Sequence, residues 1–179
     1  MNRVAHVVAA LVLAVTVASA APAAAMPTAE PGDAPITATK SKARSAERAG
    51  VSGLGSEIKE VALSQVGVPY SYGGMTPAGF DCSGFTSWVY SHVGVTLPHS
   101  SSAQYSLGGS GDFITVTSID DLEIGDLVFH GDAGGIQHVG IYVGNNEFVS
   151  ATSSSGIQVR SLFDSYWGPI WVGGVRLAR

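Results

Sequence analysis

Cys82 is the only cysteine in a chain of 179 residues, and it lies in the run Gly-Phe-Asp-Cys-Ser-Gly-Phe at positions 79–85. A single thiol cannot form a disulfide within the chain, so its presence calls for a reason in reactivity or in packing. As a thiolate it would be a strong nucleophile, whereas as a thiol it would be a small, buried apolar side chain. The residues around Cys82 and a histidine far along the chain favour the nucleophile.

The local sequence predicts that Cys82 opens a helix. A loop rich in glycine and proline covers residues 67–79, and the apolar spacing over residues 83–92 is helical, with Asp81 near the N-terminus. The positive end of a helix and a neighbouring imidazolium both lower the pKa of a thiol. We therefore expect a thiolate near neutral pH, with the backbone N–H of Cys82 available to a developing oxyanion.

A cysteine nucleophile needs a base, and histidine is the usual partner. His138 precedes the most strongly apolar predicted strand, residues 139–143, and a rigid element of this kind would hold its ring. His130, at the end of another predicted strand, is the second choice, and His92 and His99 flank a turn. The pattern predicts His138 as general base and acid.

The predicted elements give helices first and strands second. Helices are expected from Ser56, with Ser56 itself as N-cap, from Ser83 and from Ser100. Five strands follow, at residues 127–130, 139–143, 147–151, 157–160 and 170–176. The pair Asn145–Asn146 between two of them is typical of a hairpin turn. This order is the α+β pattern, with an antiparallel sheet in the C-terminal part.

The N-terminal residues predict export. Residues 1–25 combine Arg3, an apolar run and Ala-x-Ala sites, which is typical of a signal peptide cleaved after Ala25 or, alternatively, after Ala20. Residues 26–55 are rich in Pro, Ala and Thr and predict a linker, and residues 56–179 predict one domain. We therefore expect a secreted monomer without a stable membrane anchor.

The charge of the predicted domain limits its partners. Residues 56–179 carry four Lys or Arg against eleven Asp or Glu. Nucleic-acid binding depends on Lys and Arg that neutralise phosphates, so no nucleic-acid partner is expected. The sequence contains neither an H-E-x-x-H motif nor a cysteine cluster, so neither a metal nor another cofactor is expected.

Five ordered segments resemble the NlpC/P60 cysteine peptidases of bacterial cell walls, a papain-like group. The segments are residues 67–74 (GVPYSYGG), 80–85 (FDCSGF), 97–104 (LPHSSSAQ), 124–129 (IGDLVF) and 138–145 (HVGIYVGN). Together they span most of residues 56–179. The resemblance implies a papain-like NlpC/P60 fold, with N-terminal helices packed on the C-terminal sheet.

The resemblance also implies roles for individual residues. Cys82 would be the nucleophile, His138 the general base and acid, and Tyr70 a hydroxyl near the nucleophile that assists the oxyanion. Three further residues would shape the substrate cleft: Asp81, Ser83 and Ser101. The implied substrates are peptidoglycan stem peptides, with the D-glutamyl–diaminopimelate bond as the target. The basic residues of the linker would touch anionic wall polymers weakly.

Two positions depart from the family pattern. The third polar residue of the family, which orients the imidazole, falls on Ser150, whose hydroxyl is short and neutral. Ser150 would fill this role directly or through a water, and Glu147 is the alternative acceptor. Strand alternation directs these two side chains to opposite faces, so only one of them can point at His138. The other departure is His99, where the family usually has Arg.

Two other functions stay open at this level. The first is a non-catalytic or latent wall-binding domain on the same fold, which the serine at position 150 suggests. The second is an amidase or transpeptidase acting on wall peptides.

Overall fold

The computed structural model describes Gly50 and residues 53–178. The predicted signal peptide at residues 1–25 and most of the predicted linker at residues 26–55 lie outside the described residues. Within the described part of the chain, no helix has the length and apolar character that a membrane span requires.

Helix α1 covers residues 53–63 of the described chain. Leu54, Ile58 and Ala62 recur every four residues and turn toward the core, where Ile58 and Ala62 are almost fully buried. The prediction of Ser56 as N-cap is wrong, because residues 53–55 are already helical and Leu54 packs against the core. The turn after α1 ends at Gly67, which has a φ of 94° and donates its N–H to the Ile157 carbonyl.

A short hairpin leads into the second helix. Strands β1 (Met75–Thr76) and β2 (Gly79–Phe80) pair antiparallel, and helix α2 follows directly at Cys82–Ser91. Helix α3 is short, at Ser101–Tyr105, and is capped by Ser100, whose side chain accepts the Ala103 N–H. The predicted helices after residues 83 and 100 are therefore present.

The C-terminal part of the described chain is an antiparallel sheet. Its strands are β3 (Phe113–Val116), β4 (Leu127–Asp132), β5 (Gly135–Gly144), β6 (Glu147–Thr152), β7 (Gly156–Ser161) and β8 (Trp171–Leu177). They lie in the order β3-β8-β4-β5-β6-β7, and every neighbouring pair is antiparallel. The five predicted strands are present, whereas β3 and the β1–β2 hairpin were not predicted.

The two faces of the sheet bury different clusters. On one face, Val139 and Ile141 of β5 belong to the cluster that also contains Phe85 and Val89 of α2. On the other face, Tyr142 and Phe148 pack with Trp167, which precedes β8. Because side chains alternate along a strand, His138 shares the face of Tyr142, while the side chain of Val139 lies on the face that packs against α2.

The β5–β6 hairpin holds the histidine strand in register with its neighbour. Asn145 and Asn146 have φ values of 55° and 57°, the left-handed conformation that a tight hairpin turn requires. The hairpin predicted at this pair is present, and the α+β fold predicted from the order of elements is confirmed.

Candidate active site

Cys82 is the first residue of α2, and Asp81 is the N-cap. One oxygen of the Asp81 carboxylate accepts the Gly84 N–H at 2.7 Å, and the other accepts the Gly73 N–H at 3.0 Å. The bond from Gly84 satisfies an N–H group that the first helical turn would otherwise leave free, and the bond from Gly73 ties the preceding loop to the same carboxylate. The position of Cys82 is therefore fixed both by its helix and by the preceding loop.

A glycine two residues after the cysteine is required by close packing. A Cβ on Gly84 would collide with the carbonyl oxygen of Gly74. The loop before β1 therefore lies directly against the first turn of α2. This close approach explains why position 84 is a glycine, although a glycine within a helix is otherwise destabilising.

The environment of the Cys82 thiol differs from the expectation. Burial raises the pKa of this thiol above its ordinary value, and the charge of Asp81 raises it further. The backbone N–H groups of Val139 and Ser83 act in the opposite direction but do not outweigh burial. The expected depressed pKa is therefore wrong for the free protein, whose resting form is the neutral thiol.

His138 lies on β5 and is the direct cross-strand partner of His130 on β4, next to a β-bulge. The Trp167 ring stacks on the His138 ring, with centroids 4.7 Å apart and an interplanar angle of 29°. The Nε2 atom of His138 is buried and has no hydrogen-bond partner among the described residues. Burial lowers the pKa of His138 to about 4, so its imidazole is neutral at physiological pH.

Cys82 and His138 line one cleft of about 570 Å³. Tyr70 and Arg160 line the same cleft, so the structure brings together the predicted nucleophile, base and oxyanion hydroxyl. Burial raises the pKa of Tyr70, and negative charge at Cys82 and Asp81 adds to this shift. Tyr70 therefore stays protonated and keeps an O–H donor beside the thiol.

The three residues predicted to shape the substrate cleft, Asp81, Ser83 and Ser101, are not among the residues that line the cleft of Cys82 and His138. The Ser83 hydroxyl is buried and donates to Asp81 Oδ1 at 3.1 Å. Asp81 also pairs with His99, whose Nε2 lies 2.8 Å from Oδ2. Burial opposes ionisation of Asp81, but the Gly84 N–H and His99 hold its pKa below the ordinary value. Ser101 is half-buried at the start of α3.

Ser150 lies in β6, on the sheet face that carries His138. A Cβ on Gly140 would lie 3.0 Å from Ser150 Cβ, and Gly140 is two residues from His138 on the same strand. The hydroxyl of Ser150 is buried and has no hydrogen-bond partner among the described residues, so it does not bond His138 directly. Glu147 is exposed at the start of β6.

Two cleft residues were missed by sequence reasoning. Trp167 lies in a segment without periodicity, where nothing in the sequence signals that its ring stacks on a histidine. Arg160 was assigned only to a strand, although its side chain lines the cleft and its Nε is buried without an acceptor among the described residues. The available signal was that Arg160 is one of only four basic residues in a predicted domain that has eleven acidic ones.

Comparisons with known proteins agree on one family. The NlpC/P60 family profile matches residues 67–176. The probable endopeptidase p60 of Listeria seeligeri is 43% identical over 112 residues, which are 63% of this chain and 20% of that protein. The structure of the peptidoglycan hydrolase RipB from Mycobacterium tuberculosis matches with a TM-score of 0.60 and 31% identity, over 74% of this chain and 68% of that one. The NlpC/p60 domain of the peptidoglycan hydrolase SagA matches with a TM-score of 0.57 and 31% identity, over 68% of this chain and 97% of that one.

The fold and these matches define a domain that also occurs in proteins named as endopeptidases and peptidoglycan hydrolases. The chain belongs to the NlpC/P60 family, as the five sequence segments predicted. The matched segments span 20% of the Listeria seeligeri relative and 29% of the probable endopeptidase Rv2190c of Mycobacterium tuberculosis.

Proposed function

We propose that this protein is a cysteine endopeptidase that cleaves peptidoglycan stem peptides at the D-glutamyl–diaminopimelate bond. The observation that carries the proposal is the single cleft lined by Cys82, His138 and Tyr70. A thiol, an imidazole and a phenol are the nucleophile, the base and the oxyanion donor that acyl transfer requires. The family relatives named as endopeptidases and peptidoglycan hydrolases support the substrate class.

The pKa values support a particular order of proton transfers. In the free protein both the Cys82 thiol and the His138 imidazole are neutral, because burial disfavours both charges. His138 takes the thiol proton as sulfur attacks the scissile carbonyl, so the ion pair forms together with the tetrahedral intermediate. The Cys82 N–H at the helix start and the Tyr70 hydroxyl donate to its oxyanion.

The second half of the reaction returns the enzyme to its resting form. The intermediate collapses, the C–N bond breaks, and imidazolium His138 gives its proton to the leaving amine. Water then attacks the thioester, with His138 accepting its proton, and the new carboxylate leaves as the thiol is regenerated. Every proton passes through one side chain, so His138 acts as both base and acid.

The position of Arg160 favours an anionic substrate. Its guanidinium lies in the wall of the cleft, and it has no carboxylate partner among the described residues. A stem peptide carries free carboxylates beside the scissile bond, and arginine binds carboxylates with two parallel hydrogen bonds. We assign Arg160 to recognition of such a carboxylate.

Secretion completes the proposal. The sequence of residues 1–25 supports export, and peptidoglycan lies outside the membrane that an exported chain crosses. The basic residues of the linker at residues 26–55 would then hold the protein weakly at anionic wall polymers. Loss of wall retention when residues 26–55 are deleted is the expected result in a pull-down, and unchanged retention would contradict the linker's role.

The decisive experiment is digestion of defined muropeptides, read by mass spectrometry. The wild-type protein should release a fragment ending at D-glutamate, and Cys82→Ala and His138→Gln should release none. His92→Gln is the matched control, because this exposed histidine lies at the C-terminal end of α2 and should not affect cleavage. Equal cleavage by Cys82→Ala would overturn the nucleophile.

A second function is favoured by one observation. The raised pKa of Cys82 is what a non-catalytic wall-binding domain with an inert thiol would have. The same digest separates the two, because a binding domain retains muropeptides without producing fragments. An amidase or transpeptidase would instead give products with a different cut or with an added acceptor amine.

A further inference from the structure

His130 is completely buried, yet it makes no conventional hydrogen bond. Its exposure is 0%, and neither ring nitrogen has a partner among the described residues. Three aromatic rings lie near its imidazole: Phe148 at 4.8 Å and Trp167 at 5.0 Å between centroids, besides His138. A buried imidazole with two unpaired nitrogens is costly, and a phenyl ring would suit such a pocket better. A histidine here calls for a functional explanation.

Two other polar side chains on this side of the sheet also lack hydrogen-bond partners among the described residues. His138 Nε2 and the Ser150 hydroxyl are also buried without partners among the described residues. His130 and His138 are paired directly across β4 and β5. Ser150 adjoins Gly140 on the same face, two residues further along β5. Three unpaired polar side chains therefore lie together on one side of the sheet.

The distance between the two imidazoles defines how they can interact. Their centroids are 6.1 Å apart, with an interplanar angle of 51°. Facing nitrogens at this separation are roughly 4 Å apart at best, beyond the ~3.2 Å limit of a direct hydrogen bond. Polar groups a little beyond direct hydrogen-bond reach are commonly bridged by one water, and a polar pocket with two to four partners is where buried water is found.

We propose that His130 is a positioning residue, which holds the ring of His138 through one buried water that also contacts the Ser150 hydroxyl. The inference rests on the proposed function, in which His138 is the base. The bridge engages His138 Nε2, the buried nitrogen, and leaves Nδ1 to accept the thiol proton. His130 thereby supplies from β4 the support that the short side chain of Ser150 lacks.

The protonation state of His130 suits this role. Burial, and next the nearby His138, lowers the pKa of His130 to about 3. The neutral imidazole offers one N–H donor and one acceptor, so it can orient a water without adding a positive charge beside His138. It can also accept a hydrogen bond from that water when His138 becomes an imidazolium, which stabilises the charge.

The test compares three variants of the full chain in muropeptide digestion: His130→Phe, His130→Phe combined with Ser150→His, and His92→Phe. The first should lower kcat about 10-fold to 100-fold with KM nearly unchanged, since it removes a hydrogen bond to a group that becomes charged. The second should recover much of the lost kcat, because a longer imidazole at position 150 can reach His138. His92→Phe should match wild type.

A second readout does not depend on cleavage. In ¹⁵N spectra of the histidine rings, His130→Phe should alter the tautomer populations of His138, while thermal unfolding shows that the fold is kept. A wild-type kcat and an unchanged His138 tautomer in a folded His130→Phe protein would overturn the proposal. If wild type cleaves nothing, the proposed function fails instead, and the spectra still decide whether the two histidines are coupled.

Discussion

His99 Nε2 lies 2.8 Å from Asp81 Oδ2, and Asp81 Oδ1 accepts the Gly84 N–H at 2.7 Å in the first turn of the nucleophile helix. One carboxylate thus joins the helix start, the loop at Gly73 and the segment before α3. His99 therefore binds the Asp81 carboxylate, which an arginine at position 99 could also bind. A departure from the family pattern is in this way accommodated within the same network.

Asp81→Ala should lower the free energy of unfolding by about 1 kcal/mol, because the helix loses its cap. The Gly84 and Gly73 N–H groups both lose their acceptor. Urea denaturation measures the change. Ser83→Ala, which removes one hydroxyl donor to the same carboxylate, is the control and should cost less. Equal stability of Asp81→Ala and wild type would show that the cap contributes nothing.

Alkylation of Cys82 by iodoacetamide should be slow at neutral pH and should accelerate only in the alkaline range. Burial raises the pKa of the thiol, so the half-maximal rate should lie above the ~8.5 of a free cysteine. The same protein in urea is the control, because unfolding exposes the thiol and returns its ordinary pKa. A native rate already half-maximal at pH 7 would contradict the burial argument.

Stability should fall as the pH drops below about 6.5, the pKa of an unperturbed histidine. The unfolded chain binds protons at His130 and His138 in that range, whereas the folded pKa values are about 3 and about 4. Protonation therefore favours unfolding, and the loss continues until the folded values are reached. Urea midpoints from pH 8 to pH 4 measure this slope.

The control for this pH dependence is a pair of substitutions. His130→Phe should flatten the slope, since it removes one of the two groups, and His92→Gln should leave it unchanged. An identical slope in wild type and His130→Phe would mean that this buried imidazole does not carry the effect.

Arg160→Gln should raise KM about tenfold for a muropeptide with free carboxylates and change kcat little. The substitution keeps a polar side chain in the cleft wall but removes the charge that a carboxylate binds. A muropeptide with the glutamyl carboxylate amidated is the matched control, and on it the variant and wild type should be alike. An unchanged KM on the free acid would exclude Arg160 from substrate recognition.

The sequence predicted the three helices, five of the strands and the pair Cys82 and His138, which the structure places in one cleft. Apolar periodicity and the Asn145–Asn146 turn are local signals, so they predicted the helices and the β5–β6 hairpin correctly. Strand β3, Phe113–Val116, was missed; it lies at the edge of the sheet, and its two central residues are exposed.

The burial of the reactive side chains could not be predicted from the sequence. A helix start signals a lower thiol pKa, but the desolvation that outweighs it at Cys82 arises from the packing of distant segments. The interaction of His130 with His138 likewise depends on the register of β4 against β5. The stacking of Trp167 on His138 depends on the path of the chain after β7. Each of these is a tertiary effect.

The order of strands has a consequence for synthesis. Strand β8 ends the described chain, yet it lies inside the sheet, between β3 and β4. Until it emerges from the ribosome, β3 has no partner and β4 has an open edge beside His130. A nascent chain that already carries Cys82 and both cleft histidines therefore cannot complete the sheet that supports them. Assembly of the site therefore waits until β8, the last strand of the described residues, has been translated, and until then the chain stays incompletely folded.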